Sequence, residues 1–439
     1  MTPINEEPMA CPESITFSKS PCPKLYPGNI PKFISLNRLI LLLTDETRFE
    51  PFFVKVFWLC YRSFVKPKFV LQKLLERFDV PPLNSSSESA TVPIGQYESL
   101  DEYHYHTDLK SNAQIITAKL ILEWVENHYY DFDDKMIRQL TNFCSTRMIE
   151  SPVSFIAKRT LLAMKDASRL HPWQEDEKRE KELAEKKDKR SSTRLEQRLT
   201  LLKVDARDFA ETLTAMDHSL YKKIKFTEML GQSWNKEKKK FMAPNIISVT
   251  TLFNKVSSYV VFQIVSESNP MFRKKMIETV IKTCEHLKDL NSFNMIMAIY
   301  SSLGTSSVSR LVDTWSLLEE KTQKQYEDIC KFCSQDINYK SMRDATDKCF
   351  VEGEPATPYI GIYLKDFLFA DDGNPTLVDG KLNFYKAISQ YAIMYNILRF
   401  QDRDYEIIPK EEIQAAIDSY KPRGEDELYN MSLKIQPRK

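Results

Sequence analysis

Glycine is scarce in this chain, nine residues in 439 against about 7% in average usage. Tight strand-to-helix turns and phosphate-cradling loops need glycine where φ is positive or where backbone must approach a ligand closely. Neither GxGxxG nor GxxxxGK followed by Ser or Thr occurs. A P-loop NTPase, a dinucleotide-binding oxidoreductase and a glycine-rich β-protein are therefore disfavoured, and a mostly helical protein is expected. A surplus of one charge is also missing. Lys and Arg number 62, Asp and Glu 61, for a net charge of +1, so the basic excess of a nucleic-acid-binding protein is absent.

Cysteine is sparse, at Cys11, Cys22, Cys60, Cys144, Cys284, Cys330, Cys333 and Cys349, which suggests a reducing compartment rather than a disulfide framework. Long hydrophobic runs are lacking. The most apolar, Leu39-Ile40-Leu41-Leu42-Leu43, is far too short to span a bilayer. The start, Met1 to Glu7, has no basic region followed by an apolar core. Thr2 excludes N-myristoylation, and Gln436-Pro437-Arg438-Lys439 is not a prenylation box. The expectation is a soluble, cytoplasmic protein with no membrane anchor of its own, although recruitment to a membrane stays open.

What is present is helical periodicity. From Ile30 to Phe78 the apolar stripes are Ile34, Leu36, Leu39, Ile40 and Leu43, then Phe52, Phe53, Val56, Phe57, Leu59 and Cys60. A further stripe, Phe69, Val70, Leu74, Leu75 and Phe78, follows Pro67, which sits in its accepted place near a helix start. Residues 1–24, rich in Pro, Ser and Glu, are expected to lack a fixed fold. Residues 81–112, opened by Pro81-Pro82 and Ser85-Ser86-Ser87, read as a long polar loop. Helical pattern resumes at Ile115, Ile116, Ala118, Leu120, Ile121 and Trp124. Residues 174–190 are almost wholly charged with signs mixed, either a solvated helix or a disordered linker. The chain thus divides into a block of 25–165, a linker of 166–199 and a block of 200–437. The last again shows helical stripes, such as Val249, Leu252, Phe253, Val256 and Val260, and Met276, Ile277, Val280, Ile281, Cys284 and Leu287.

Chemistry-bearing motifs are few. Cys330-Lys331-Phe332-Cys333 is a CxxC without the second pair that zinc requires, so buried helix cysteines are expected. His104 and His106 are two potential ligands in the polar loop, without a third. No GxSxG is present, and neither a metal nor a cofactor is indicated. One stretch is unusual, Pro358 to Pro375. It reads as a short helix opened after Gly361 and ended by Gly373, with Pro375 barring continuation. Ile362, Tyr363, Leu364, Phe367, Leu368 and Phe369 cover most of its circumference, so it is either buried on several sides or offers a face to a partner. Asp371 and Asp372 occupy its last turn, where the helix dipole disfavours anions by about 0.3–1 kcal/mol each. A plain turn, with Asp-Asp-Gly-Asn supplying Asx-type hydrogen bonds, is the alternative.

Pro358-Tyr359-Ile360-Gly361, Leu364, Asp372-Gly373-Asn374-Pro375 and Leu382-Asn383-Phe384 together resemble the helical-hairpin signature of the Cdc25-homology (RasGEF) catalytic domain. Ala215-Met216-Asp217 and Glu228-Met229-Leu230-Gly231-Gln232-Ser233-Trp234 are similar to its opening motif. Leu290-Asn291-Ser292-Phe293-Asn294 and Ser309-Arg310-Leu311-Val312-Asp313-Thr314-Trp315 are similar to its core, and Ser432 to Arg438 to its close. Tyr61 to Pro67 and Trp124 to Phe132 resemble the Ras exchanger motif (REM) domain that precedes it.

The resemblance implies an all-α protein, a helical REM domain followed by a catalytic domain with a protruding helical hairpin, that exchanges guanine nucleotide on a Ras-family small GTPase of Ras, Rap or Ral type without covalent chemistry. It implies that Leu368 sits beside the partner's Mg²⁺ site, that Asp372 reaches toward its phosphate cradle where Glu is commoner, and that Asn374 shapes the turn, with Phe369 and Asp371 adjoining. It implies a groove for the GTPase formed by Thr250, Thr251, Met297, Ser309, Arg310, Tyr339, Tyr359 and Leu364. Gly304, Ser309 and Ser389 depart from residues some relatives carry. The REM helices would brace the hairpin. The alternative is a Cdc25-like scaffold that binds a GTPase without promoting exchange.

Overall fold

The computed structural model describes residues 15–45, 50–79, 110–170 and 199–437. The loop expected at 81–112 lies outside them as far as residue 109, as do His104, His106 and the charged segment from 171 to 198. Within the described residues the chain is helical with a few short strands, and it forms two compact units. The first comprises Met1–Lys187 with Ala370–Ala392, the second Asp188–Phe369 with Ile393–Lys439.

The first unit carries helices α1 (Leu36–Leu43), α2 (Pro51–Cys60), α3 (Pro67–Phe78), α4 (Ser111–His128), α5 (Asp134–Phe143) and α6 (Ser154–Leu170). Their starts have local causes. The Ser35 hydroxyl accepts from the Arg38 amide at 3.2 Å, and the Asp133 carboxylate accepts from the Met136 amide at 2.8 Å. Pro51 and Pro67 stand at the first helical position, where no amide hydrogen is needed. Helix α4 begins at Ser111, so the polar loop ends slightly sooner than expected.

Two expectations are corrected here. Residues 1–24 do not all lack structure, because Ile15–Lys19 forms strand β1. The helical reading that began at Ile30 also fails, because Asn29–Ile34 forms strand β2. Pro31 cannot continue a helix or donate to a ladder, and it sits where the β1–β2 register shifts between Thr16 and Phe17. Strands β3 (Leu377–Val378) and β4 (Lys381–Asn383) complete an antiparallel sheet in the order β1-β2-β4-β3. Asp379 and Gly380 join them with φ of 48° and 74°, the left-handed pair that a two-residue hairpin turn requires. Phe33 and Ile34 pair with Asn383 and Leu382. A strand from the chain's beginning is thus hydrogen-bonded to one more than three hundred residues later.

The core of this unit is aromatic. Trp58 stacks on Trp124 with centroids 5.2 Å apart, and Tyr61 meets Trp124 edge-on. Asp131 is buried among them. It accepts from Tyr61 Oη at 2.5 Å, Trp124 Nε1 at 2.7 Å and Arg62 Nε at 2.7 Å. A buried carboxylate with this many donors is satisfied.

The second unit runs through α7 (Ala206–Tyr221), α8 (Pro244–Ser266), α9 (Pro270–Asp289), α10 (Phe293–Gly304), the short α11 (Ser306–Ser309) and α12 (Val312–Trp315), α13 (Glu320–Cys333), α14 (Lys340–Glu352) and α15 (Ile360–Asp372). It ends with α16 (Phe384–Leu398), α17 (Glu411–Ser419) and α18 (Glu425–Ile435). The α9 stripe Met276, Ile277, Val280, Ile281, Cys284 and Leu287 is buried as its spacing predicts. In the CxxC, Cys333 is buried but Cys330 only half so.

Candidate functional site

Helix α15 begins at Ile360, one residue before the glycine expected to open it, and ends at Asp372. Its last residues, from Ala370, belong to the first unit. Ile360, Tyr363 and Phe367 form the buried stripe, and Phe367 meets Trp234 edge-on at 5.6 Å. Leu364 and Leu368, four residues apart and so neighbours on one side of the helix, are half-buried. Asp372 continues that spacing and is exposed. Phe369 is 63% exposed, with the Lys365 ammonium 5.8 Å from its ring centroid. The apolar circumference read from the sequence is therefore split, with one stripe in the core and Phe369 in water.

The two acids at the helix end differ. Asp371 is bound into the structure. Its carboxylate accepts from Lys386 Nζ at 2.8 Å and Gln390 Nε2 at 3.0 Å, and its carbonyl also accepts from Lys386 at 2.8 Å. Lys386 is only 6% exposed. Its ammonium supplies a cation at a helix C-terminus that two anions would otherwise burden. Asn374 Nδ2 donates to the Ala370 carbonyl at 3.0 Å and satisfies another orphan acceptor of the last turn. Asn383 Nδ2 donates to the Pro375 carbonyl at 2.9 Å while its Oδ1 accepts from the Lys386 amide at 3.2 Å, capping α16. The Asp379-Gly380 turn was a visible hairpin signal that sequence reading did not use. Lys386 and Gln390 carried no local signal.

The same unit grips the return helix. Phe53 meets Phe384 edge-on at 5.9 Å, Phe52 meets Tyr391 at 5.5 Å, and Cys60 Sγ donates to the Ala387 carbonyl at 3.4 Å.

The residues expected to form a groove for the GTPase all fall in the second unit. Tyr359 is half-buried. It stacks on Phe253 at 5.9 Å and meets Tyr339 at 6.0 Å. Burial raises its phenol pKa above the ordinary value. A Cβ at Gly361 would lie 2.6 Å from the Tyr359 ring, so glycine there lets the ring lie flat over the helix start. Thr250 and Thr251 are exposed on α8 beside Phe253, and α8 packs against α10 and α11. Ser309 is exposed at the end of α11. Met297 on α10 is core, 5% exposed. Arg310 is committed to α18, donating to the Ser432 carbonyl at 3.0 Å and lying over the Tyr429 ring.

Sequence reading also missed the segment before α14. Ile337, Asn338 and Tyr339 all have left-handed φ, from 48° to 58°, at a cost that non-glycine residues seldom bear in succession. Arg343 holds that segment to the hairpin helix. It donates to the Asn338 carbonyl at 2.9 Å and to Asp366 at 2.7 Å.

Comparison with known proteins gives this arrangement its class. Residues 31–143 match the RasGEF N-terminal motif, and residues 208–388 match the RasGEF domain. The chain is 30% identical over 414 residues to Ras guanine nucleotide exchange factor J of Dictyostelium discoideum, covering 93% of this chain and 48% of that one. It is 31% identical over 433 residues to factor A of the same organism, with coverages of 93% and 66%. It is 26% identical over 439 residues to Protein son of sevenless of Drosophila melanogaster, with coverages of 93% and 27%. The chain belongs to the Ras guanine nucleotide exchange factor family, and it spans about half the length of the first of these relatives.

Proposed function

We propose that this chain is a guanine nucleotide exchange factor for a Ras-type small GTPase of the Ras, Rap or Ral class. It binds the nucleotide-free partner more tightly than the loaded one, and that difference in affinity drives GDP out without any covalent step. A GTPase holds its nucleotide through a phosphate cradle and Mg²⁺. Leu368 brings hydrocarbon where the ion needs oxygen ligands, and Asp372 offers the vacated cradle an anion. Asp371, bound by Lys386 and Gln390, positions the helix end instead. Tyr359, Tyr339, Thr250, Thr251 and Ser309 receive the partner's mobile region. Met297 and Arg310 support that surface from behind, Arg310 by tying α11 to α18. Residues 25–165 serve as the REM domain and 200–437 as the catalytic domain.

The observation that carries this reading is the helix α15, which displays Phe369 and Asp372 while its end is capped by Lys386 and Asn374. No helix among the described residues is long and apolar enough to cross a membrane, so the factor acts without a spanning helix in that region.

The test is release of a fluorescent GDP analogue from a panel of Ras, Rap and Ral proteins. Catalytic amounts of the chain are expected to accelerate release from at least one. Leu368→Ala and Asp372→Ala are each expected to slow it by about tenfold or more while binding to the nucleotide-free GTPase persists, since each removes a contact made on the exchange path. A folded protein that binds a GTPase but accelerates none of the panel would be a scaffold instead. If neither substitution changes the rate, the roles of the hairpin residues are wrong.

A further inference from the structure

Between the opening motif and α8, eight consecutive residues, Asn235 to Met242, are exposed. They include Lys236, Lys238, Lys239 and Lys240 against the single acid Glu237. They end in two large apolar side chains, Phe241 at 78% and Met242 at 51% exposure. Glu237 is paired with Lys240 at 2.6 Å, and Lys236 Nζ donates to the Gly231 carbonyl at 2.9 Å. Lys238 and Lys239 have no ion pair among the described residues.

This excursion is held at its base. The carboxylate of Glu228, 2% exposed, accepts from the amides of Lys225 at 3.0 Å, Asn245 at 2.9 Å and Ile246 at 3.0 Å, and from Asn245 Nδ2 at 2.7 Å. It thereby closes the segment at both ends and caps α8. Met229 and Ala243 are fully buried on either side. A lysine run alone would be a solvated face. An exposed Phe and Met beside it, on a base this well anchored, make an amphipathic surface.

We propose that Asn235–Met242 docks on an anionic phospholipid surface, with Phe241 and Met242 entering the headgroup and acyl boundary and the lysines facing the phosphates. The sign of the charge favours this occupant. Each lysine near an anionic bilayer strengthens partition about fivefold, and taking an exposed Phe side chain out of water adds roughly tenfold or more. An anionic peptide would satisfy the lysines but has no need of two exposed apolar side chains at the end of the run.

The test is sedimentation of the full chain with vesicles of phosphatidylcholine alone or with about 30% phosphatidylserine. It needs no GTPase, so its outcome is independent of the exchange reading. The wild type is expected to sediment with the anionic vesicles only. Lys238→Glu with Lys239→Glu, and separately Phe241→Ser with Met242→Ser, should each raise the lipid concentration for half-binding at least tenfold. All four side chains are exposed, so folding should be kept, and circular dichroism checks it. The proposal is overturned if the wild type stays in the supernatant with both vesicle types, or if either double variant binds like the wild type. It is equally overturned if the wild type ignores vesicles but an oligoglutamate peptide titrates onto it and not onto the lysine variant, which would assign the surface to an acidic protein.

Discussion

Lys386→Met is the most informative substitution in the hairpin. The ammonium of Lys386 lies 2.8 Å from both the carbonyl and the carboxylate of Asp371, and 3.2 Å from Thr376 Oγ1. The side chains of the pair are 8% and 19% exposed. Removing one partner of a buried ion pair costs about 3–5 kcal/mol, because the other charge is left without compensation. Gln390 still donates to Asp371, so the lower end, about 3 kcal/mol, is expected. Asp371→Asn removes the charge but leaves an acceptor and the carbonyl in place, for a loss of about 1–2 kcal/mol. The double variant should fall short of the sum by about 1–2 kcal/mol, since the two changes delete one interaction. Urea unfolding followed by circular dichroism measures the cycle. Fluorescent nucleotide release measures its consequence. If half of the loss falls on the arrangement of α15 that the proposed exchange activity needs, nucleotide release slows about tenfold. Methionine matches the aliphatic stem, so lost packing is a minor part. Strict additivity of the two substitutions, or a Lys386→Met protein within about 0.5 kcal/mol of the wild type, would refute the claim that this pair offsets the anions at the helix end.

Asp131→Asn should cost about 2–3 kcal/mol, since it leaves the Arg62 guanidinium, 16% exposed, without its counter-charge while the Trp58 carbonyl still accepts from it at 2.7 Å. A fall below about 1 kcal/mol in denaturant unfolding would show that the aromatic cluster, not the carboxylate, organises that core. Asp217 gives a pH test. Burial raises its carboxyl from 3.8 to about 7, although Asn294 Nδ2 donates to it at 2.8 Å, and its Oδ2 has no partner among the described residues. The folded state therefore holds a proton that the unfolded state has lost. Stability from this group is full below about pH 4, declines as pH rises, and levels off above about 7. Relative to Asp217→Asn, the wild type should lose about 3 kcal/mol between pH 5 and 8. A difference that does not vary with pH would mean that Asp217 is ionised in the folded protein.

The helices were largely legible because their signals are local. The α9 stripe, Pro67 at the start of α3, and Asp372-Gly373-Asn374-Pro375 at the end of α15 each follow from periodicity or capping within a turn or two. The strands were missed for the converse reason. Ile30, Phe33 and Ile34 fit a helical stripe as readily as a strand, and what settles the matter is pairing with Leu382 and Asn383.

The sequence by itself determined the helical class and the order of the segments. It did so because scarce glycine, spacing and caps act over a few residues. Only the tertiary structure decided how the family-like segments serve one another. Tyr61 and Arg62 meet Asp131, Asp217 meets Asn294, and Arg310 meets Ser432. It also set Asp371 half-buried against Lys386 and left Asp372, adjacent and identical in the sequence, exposed. A buried charge is tolerable only where a distant residue arrives to match it, and nothing within a turn of the chain announces that arrival.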